Sequence, residues 1–171
     1  MMQAVKAEYA SPRAIWSDAL TALLPPPRLT VSEWADRNRV LDNSSPEPGL
    51  WRTDRTPYLR EIMDSLSPST PCERVVFMKP AQIGGTEALL NVCGYLMHHA
   101  PAPIMMIQPT VEMAKRFSKQ RLDALIENTP ALREKVKDPR SRDSGNTVLM
   151  KEFAGGVLIL TGANSAVGLR S

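Results

Sequence analysis

The chain has 171 residues, 43% hydrophobic and 23% charged, which suits one globular domain with a real core and excludes an intrinsically disordered polypeptide. A net charge of +3 and a pI of about 9.0 permit a nucleic-acid partner without demanding one. Cys72 and Cys93 are too few and too far apart for a Cys-x-x-Cys metal site, and no apolar run reaches the ~18 residues of a membrane span.

The N-terminus lacks a long apolar secretory segment, and two cysteines without one fit a reducing cytoplasm. No internal repeat of 20–50 residues is visible. Residues 1–70 hold more than half of the 15 prolines at near-neutral charge and read as an N-terminal arm. A short helix is predicted over 14–24, stopped by the stiff Pro25-Pro26-Pro27 break. Thr30 or Ser32 can cap a second helix over about 33–40. Residues 42–49 are turn-rich, and Thr56-Pro57 starts a third helix over 58–66.

From residue 73 the pattern becomes α/β. Residues 74–78 read as a buried strand, and 87–98 as a helix apolar on nearly every face. A second buried strand is predicted over 103–108. An amphipathic helix follows over 110–128, with Val111, Ala114, Leu122 and Leu125 on one face. Residues 146–153 and 156–161 read as two further strands joined by Ala154-Gly155, a candidate hairpin. Strands alternating with helices predict a parallel sheet with right-handed crossovers.

Lys79-Pro80-Ala81-Gln82-Ile83-Gly84-Gly85-Thr86 lies between the first of these strands and the apolar helix. Its Gly84 and Thr86 fit the G-x-x-x-x-G-K-[ST] phosphate loop, but the usual first Gly is Lys79 and the usual Lys is Gly85. A Gly-containing turn points backbone N–H groups at an anion, and the following helix N-terminus adds partial positive charge. Lys79 is the candidate cation for the β/γ-phosphates, against a solvated strand-end lysine. Thr86 is the candidate Mg²⁺ ligand, against a helix cap. Gln82 is the candidate contact to the γ-phosphate or the attacking water, against an exposed loop residue. Glu87 sits in the first helical turn, where the helix dipole favours an acid in any case.

Three other features invite a function. In Trp51-Arg52-Thr53-Asp54-Arg55-Thr56-Pro57-Tyr58, an aromatic ring among arginines can stack on a purine; Trp51 fits plain packing better, while Tyr58 suits either role. Basic residues outnumber acidic ones over 115–142. There Lys115, Arg116, Lys119 and Arg121, then Lys135, Lys137, Arg140 and Arg142, form a candidate phosphate-backbone footprint or a solvated surface. Arg116 is also a candidate arginine finger toward a neighbouring subunit. Finally, Gly162-Ala163-Asn164-Ser165-Ala166-Val167-Gly168-Leu169-Arg170 follows a strand, where open α/β sheets place their ligand loops, and reads as a coupling segment or a plain turn.

Together these segments resemble the large terminase subunit of tailed phages, in particular the lambda-type group. The resemblance runs from Leu29-Thr30-Val31-Ser32-Glu33-Trp34-Ala35 to Leu169-Arg170. It rests on Pro48-Gly49-Leu50-Trp51-Arg52-Thr53, the 79–86 loop with its leading lysine, Gln108-Pro109-Thr110 with Ala114 and Phe117-Ser118, and Gly162-Ala163-Asn164-Ser165. It implies a P-loop NTPase of the additional-strand, RecA-like type: a parallel sheet flanked by helices, incomplete in this fragment, with a Pro-rich, mostly helical arm over 1–70 and the ATPase portion over 71–171. ATP and Mg²⁺ would bind at Lys79, Pro80, Ala81, Gln82, Ile83, Gly84, Gly85, Thr86 and Glu87, with Tyr58 near the adenine. Lys115, Arg116, Lys119 and Arg170 are the DNA or inter-subunit contacts that fit it.

The implied partners are double-stranded viral DNA, a small terminase subunit, the portal protein of the procapsid and further copies of the same chain, in the cytoplasm of a bacterial host and without a membrane. The family's acidic Mg²⁺ strand and its nuclease domain are expected beyond Ser171, so the expectation is a fragment that neither turns over ATP efficiently nor cuts DNA. The alternatives are a fragment of a superfamily-2-like nucleic-acid-dependent ATPase or helicase and an inactive prophage remnant.

Overall fold

The computed structural model describes residues 11–23, 27–136 and 146–165. Helix α1, Pro12–Ala22, carries Ile15, Trp16 and Leu20 exposed. Helix α2, Val31–Asn38, is closed at its start by a capping box: Thr30 Oγ1 accepts from the Glu33 amide, and the Glu33 carboxylate accepts from the Thr30 amide. That reciprocal arrangement satisfies two donors that the first turn leaves free and contributes about 1 kcal/mol. Strands β1, Val40–Leu41, and β2, Gly49–Leu50, then pair antiparallel around the turn-rich 42–49 loop. This hairpin is an addition to the sequence expectation. A 3₁₀ turn, Thr53–Arg55, leads into α3, Tyr58–Asp64, with Pro57 at its N-cap.

The central helix is α4, Gly85–His98. It buries Ala88, Leu90, Asn91, Val92, Cys93, Gly94, Tyr95 and Met97, so almost its whole circumference is covered, as its apolar sequence predicts. Strand β3, Ile104–Gln108, is followed by α5, Val111–Phe117, a π-helical turn, Ser118–Leu122, and α6, Asp123–Asn128. The amphipathic helix predicted over 110–128 is thus present with one wide turn in it. Ala114, Leu122 and Leu125 are fully buried and Val111 half-buried, and Ser118 joins the buried face. Helix α7, Pro130–Arg133, precedes the hairpin of β4, Met150–Phe153, and β5, Gly156–Gly162.

The sheet has three strands in the order β3-β5-β4. β3 and β5 run parallel, Ile104 opposite Leu158 through Gln108 opposite Gly162, while β4 runs antiparallel to β5. The sheet is therefore mixed and not purely parallel, because the Ala154-Gly155 turn folds the last two strands back on each other; Gly155 takes a φ of +94°, which a side chain would resist. One hydrophobic cluster joins the arm to the sheet: Trp34, Leu59 and Met63 share it with Leu90, Met97, Leu122, Leu125, Leu158 and Leu160. Polar ties reinforce it. Ser32 donates through its amide and its hydroxyl to the two Asp64 carboxylate oxygens at 2.9 Å each, and Tyr95 donates to the Leu29 carbonyl at 3.0 Å.

Two strand expectations need correction. Residues 74–78 are not a buried strand: they pair with no strand among the described residues, and Val76 and Met78 are 84% and 96% exposed. Val75 and Phe77 are half-buried in alternation with them, so the period-2 pattern is present without a hydrogen-bonded neighbour to make it a strand. β3 in turn is only half-buried, because Met105 and Ile107 face outward on the face opposite Met106.

Candidate functional site

The 79–86 loop is a turn that enters α4 through Gly84, the helix N-cap, at φ +78° and ψ 8°. That left-handed conformation suits glycine, and the space is closed as well, since a Cβ on Gly84 would come 3.1 Å from the Leu59 side chain. Gln82 is the one non-glycine residue with positive φ among the described residues, at +60°. Gln82 and Gly84 are thus the two positive-φ residues of the loop, separated by Ile83; alternation of right- and left-handed residues is the pattern that makes an anion-binding nest. Tyr58 donates to the Ile83 carbonyl at 3.2 Å, so the first residue of α3 ties down the loop itself.

Lys79 lies across Gly85. A Cβ built on Gly85 would meet Lys79 Cδ at 2.6 Å and Cε at 2.7 Å. The absent side chain at 85, where the common motif has its lysine, leaves the space that the stem of Lys79 occupies. Phe77 also borders this space, at 3.4 Å.

Thr86, in the first turn of α4, opens onto a cleft of about 280 Å³ shared with Gln108 at the carboxyl end of β3, Arg116 of α5, and Gln120 and Arg121 of the π turn. Gly162 brings the end of β5 beside it: its Cβ position lies 2.5 Å from the Val111 amide nitrogen, and Ala163 donates to the Gln108 carbonyl at 2.7 Å. The carboxyl ends of both parallel strands, the start of α5 and Thr86 therefore meet on one side of the sheet, where open α/β sheets collect ligands.

A second cleft, about 310 Å³, lies on the arm side of Gly84, among Leu41, Pro46, Trp51, Arg52, Arg55 and Glu87. Trp51 is buried and donates from Nε1 to Thr53 Oγ1 at 3.0 Å, the packing role expected for it. Lys115, Arg116 and Lys119 line one shallow groove on α5 and the π turn, with Lys115 paired to Glu112 at 3.0 Å. Ser165 ends the described part of the 162–170 segment. Lys137, Arg140, Arg142 and Arg170 lie outside the described residues, as does the Pro25-Pro26 part of the proline break.

Glu87 carries a network that the sequence did not announce. Its carboxylate accepts from Arg39 Nη2 at 2.8 Å and stands 3.6 Å from Arg121 Nη1. Arg39 is 4% exposed, and burial pulls its pKa below the usual guanidinium value, opposed by the charge of Glu87. Arg39 is 48 positions from Glu87 in sequence, and no spacing rule connects them. Glu87 was readable as a first-turn acid, but its partners were not.

Thr86 stands in the first turn of α4 and lines the cleft described above. Neighbouring Glu87 is committed to arginines, and no three His, Cys, Asp or Glu cluster to hold a metal among the described residues. Nor is any helix among them long and apolar enough to cross a membrane.

A family model described as phage terminase large subunit gpA, ATPase domain, matches residues 45–171. The chain is 31% identical over 145 residues to the terminase large subunit of Enterobacteria phage P21, covering 84% of this chain and 22% of that protein. It is 30% identical over 138 residues to the terminase large subunit of Escherichia phage lambda, covering 80% of this chain and 21% of that protein. The chain thus spans about a fifth of the length of the curated relatives it matches. No solved structure matches it.

Proposed function

The chain belongs to the phage terminase large subunits, within their ATPase domain, and from that premise we propose that it binds Mg·ATP at the 79–86 loop and forms part of a motor that drives viral double-stranded DNA into a procapsid. The observation that supports this is the Lys79 side chain packed against Gly85, the position at which the common phosphate loop carries its lysine. Lys79 neutralises the β/γ-phosphates, the amides around Gln82, Ile83, Gly84 and Gly85 wrap them, and Gln82 orients the attacking water. Pro80 and Ala81 form the turn between lysine and nest. Thr86 holds the metal, which when bound supplies charge neutralisation at the phosphates. Hydrolysis of this kind needs positioning and charge compensation more than covalent chemistry.

In this proposal the fold is a P-loop NTPase. The arm over 1–70 supplies the base side of the site through Tyr58 and the cleft around Trp51 and Arg55. Lys115, Arg116 and Lys119 face DNA or a neighbouring copy. Nuclease activity, the small subunit and the portal belong to the longer protein's work in the bacterial cytoplasm. The family match favours this over a helicase fragment.

Calorimetric titration with Mg·ATP tests the proposal. Wild type is expected to bind and Lys79→Ala to lose binding by at least about tenfold while remaining folded. Equal affinities would move the phosphate role away from the loop.

A further inference from the structure

The Arg39–Glu87–Arg121 network borders a polar cavity of about 220 Å³ formed by β1, the 42–46 turn, α4, the π turn and α6. Its two arginines are unequal. Arg39 is buried, bonded at 2.8 Å, and its Nε is buried without a partner. Arg121 is 58% exposed by side chain, stands at 3.6 Å, and also lines the cleft that holds Thr86. Burying a guanidinium is costly unless it is paired, and a structural bond alone could be replaced by apolar packing. Here the fixed cation is spent on a carboxylate one residue from Thr86, at a helix start that otherwise attracts anions. An uncompensated Glu87 would oppose a polyphosphate at that position.

We propose that Arg39 is a positioning residue for anion binding: it neutralises and fixes Glu87, so that the first turn of α4 can accept a phosphate and Arg121, held to Glu87 only by the longer 3.6 Å pair, can turn toward the Thr86 cleft. The inference rests on the nucleotide-binding proposal above and adds a role for the arm. Arg39 leaves α2 as its C-cap, its carbonyl accepts from the Trp51 amide at 2.9 Å, and its side chain reaches α4. The β1–β2 hairpin thereby becomes part of the loop's support.

The test uses this chain with Mg·ATP in calorimetry, comparing wild type, Arg39→Gln, Arg39→Lys and the double variant Arg39→Gln/Glu87→Gln. Arg39→Gln is expected to weaken binding about tenfold, and the double variant to recover most of that loss, because the repelling carboxylate has gone with its counter-charge. Arg39→Lys, which keeps the charge, is expected to stay within about threefold of wild type and carries the test if Arg39→Gln does not fold. A double variant no better than the single one, or a lysine variant as weak as the glutamine one, overturns the proposal. Amide exchange separates this from the binding proposal. Even if wild type takes up no nucleotide, Arg39→Gln must speed exchange of the Ala88 amide, bonded to Gly84 at 3.0 Å, more than that of His99, bonded to Tyr95 at 2.8 Å. Equal acceleration at the two ends of α4 would overturn the positioning role on its own.

Discussion

Trp34 shows how one residue organises its surroundings. Its ring is fully buried, donates from Nε1 to His98 Nδ1 at 3.0 Å, and meets Tyr95 edge-on at 6.5 Å. Gly94 is the complement, since a Cβ there would lie 2.4 Å from Trp34 Cη2. Alanine in a helix interior normally stabilises by up to ~1 kcal/mol over glycine. Here Gly94→Ala is expected to destabilise by about 1–3 kcal/mol, read by urea denaturation, because the ring is pinned and cannot retreat. A stabilised variant would show that the ring moves.

His98 adds a pH dependence. Burial lowers its pKa first, then the charge of Lys135 and the proximity of His99, with Glu134 opposing them. The folded state therefore binds fewer protons than the unfolded chain as pH falls below the ordinary histidine value of about 6.5. Stability from this group is complete above that value and is lost as pH falls toward the lowered one, where protonation also removes the acceptor for Trp34. Urea midpoints measured between about pH 7.5 and 5.5 should fall in wild type and less in His98→Asn. Parallel curves would assign the dependence elsewhere.

The thiols give a simpler check. Burial pushes Cys93 up to about 12, whereas Cys72 is exposed. A thiolate reagent should modify one cysteine in the native protein and two after unfolding. Two fast native reactions would mean that α4 opens.

At the scale of elements, what was legible depended on whether a segment's environment is local. Helix α2 follows from Thr30 and Glu33 within four positions of each other, and the β4–β5 hairpin from two apolar runs around Ala154-Gly155. Helix α4 follows from its unbroken apolar character. The 74–78 segment has as strong a local signal, but a strand exists only with a neighbour, and none of the described strands supplies one. The π turn was invisible because Ala114, Ser118, Leu122 and Leu125 keep an almost helical spacing; the extra residue shows only in how Lys119, Gln120 and Arg121 are turned toward the clefts. Wide turns of this kind frequently mark functional positions.

At the scale of the whole molecule, the arm and the sheet form one hydrophobic core, and the site lies along their junction. The loop sequence suggested an anion site with its cation displaced. The structure shows the Lys79 side chain packed against Gly85, Tyr58 of α3 bonded to the loop at Ile83, and Arg39, the C-cap of α2, bonded to Glu87 at the start of α4. Those two contacts span 25 and 48 positions and are set by packing of the three helices, which local pattern does not encode.

In the proposed site, Lys79 serves as the loop's phosphate cation and its side chain takes the space above Gly85. The direct measurement is Mg·ATP affinity for Lys79→Ala beside Lys79→Ala/Gly85→Lys. Lysine restored at the other end of the loop, with the space cleared, is expected to regain at least about tenfold of the affinity lost by the single variant. A single variant that binds as tightly as wild type would contradict the claim, and so would a folded double variant that regains nothing.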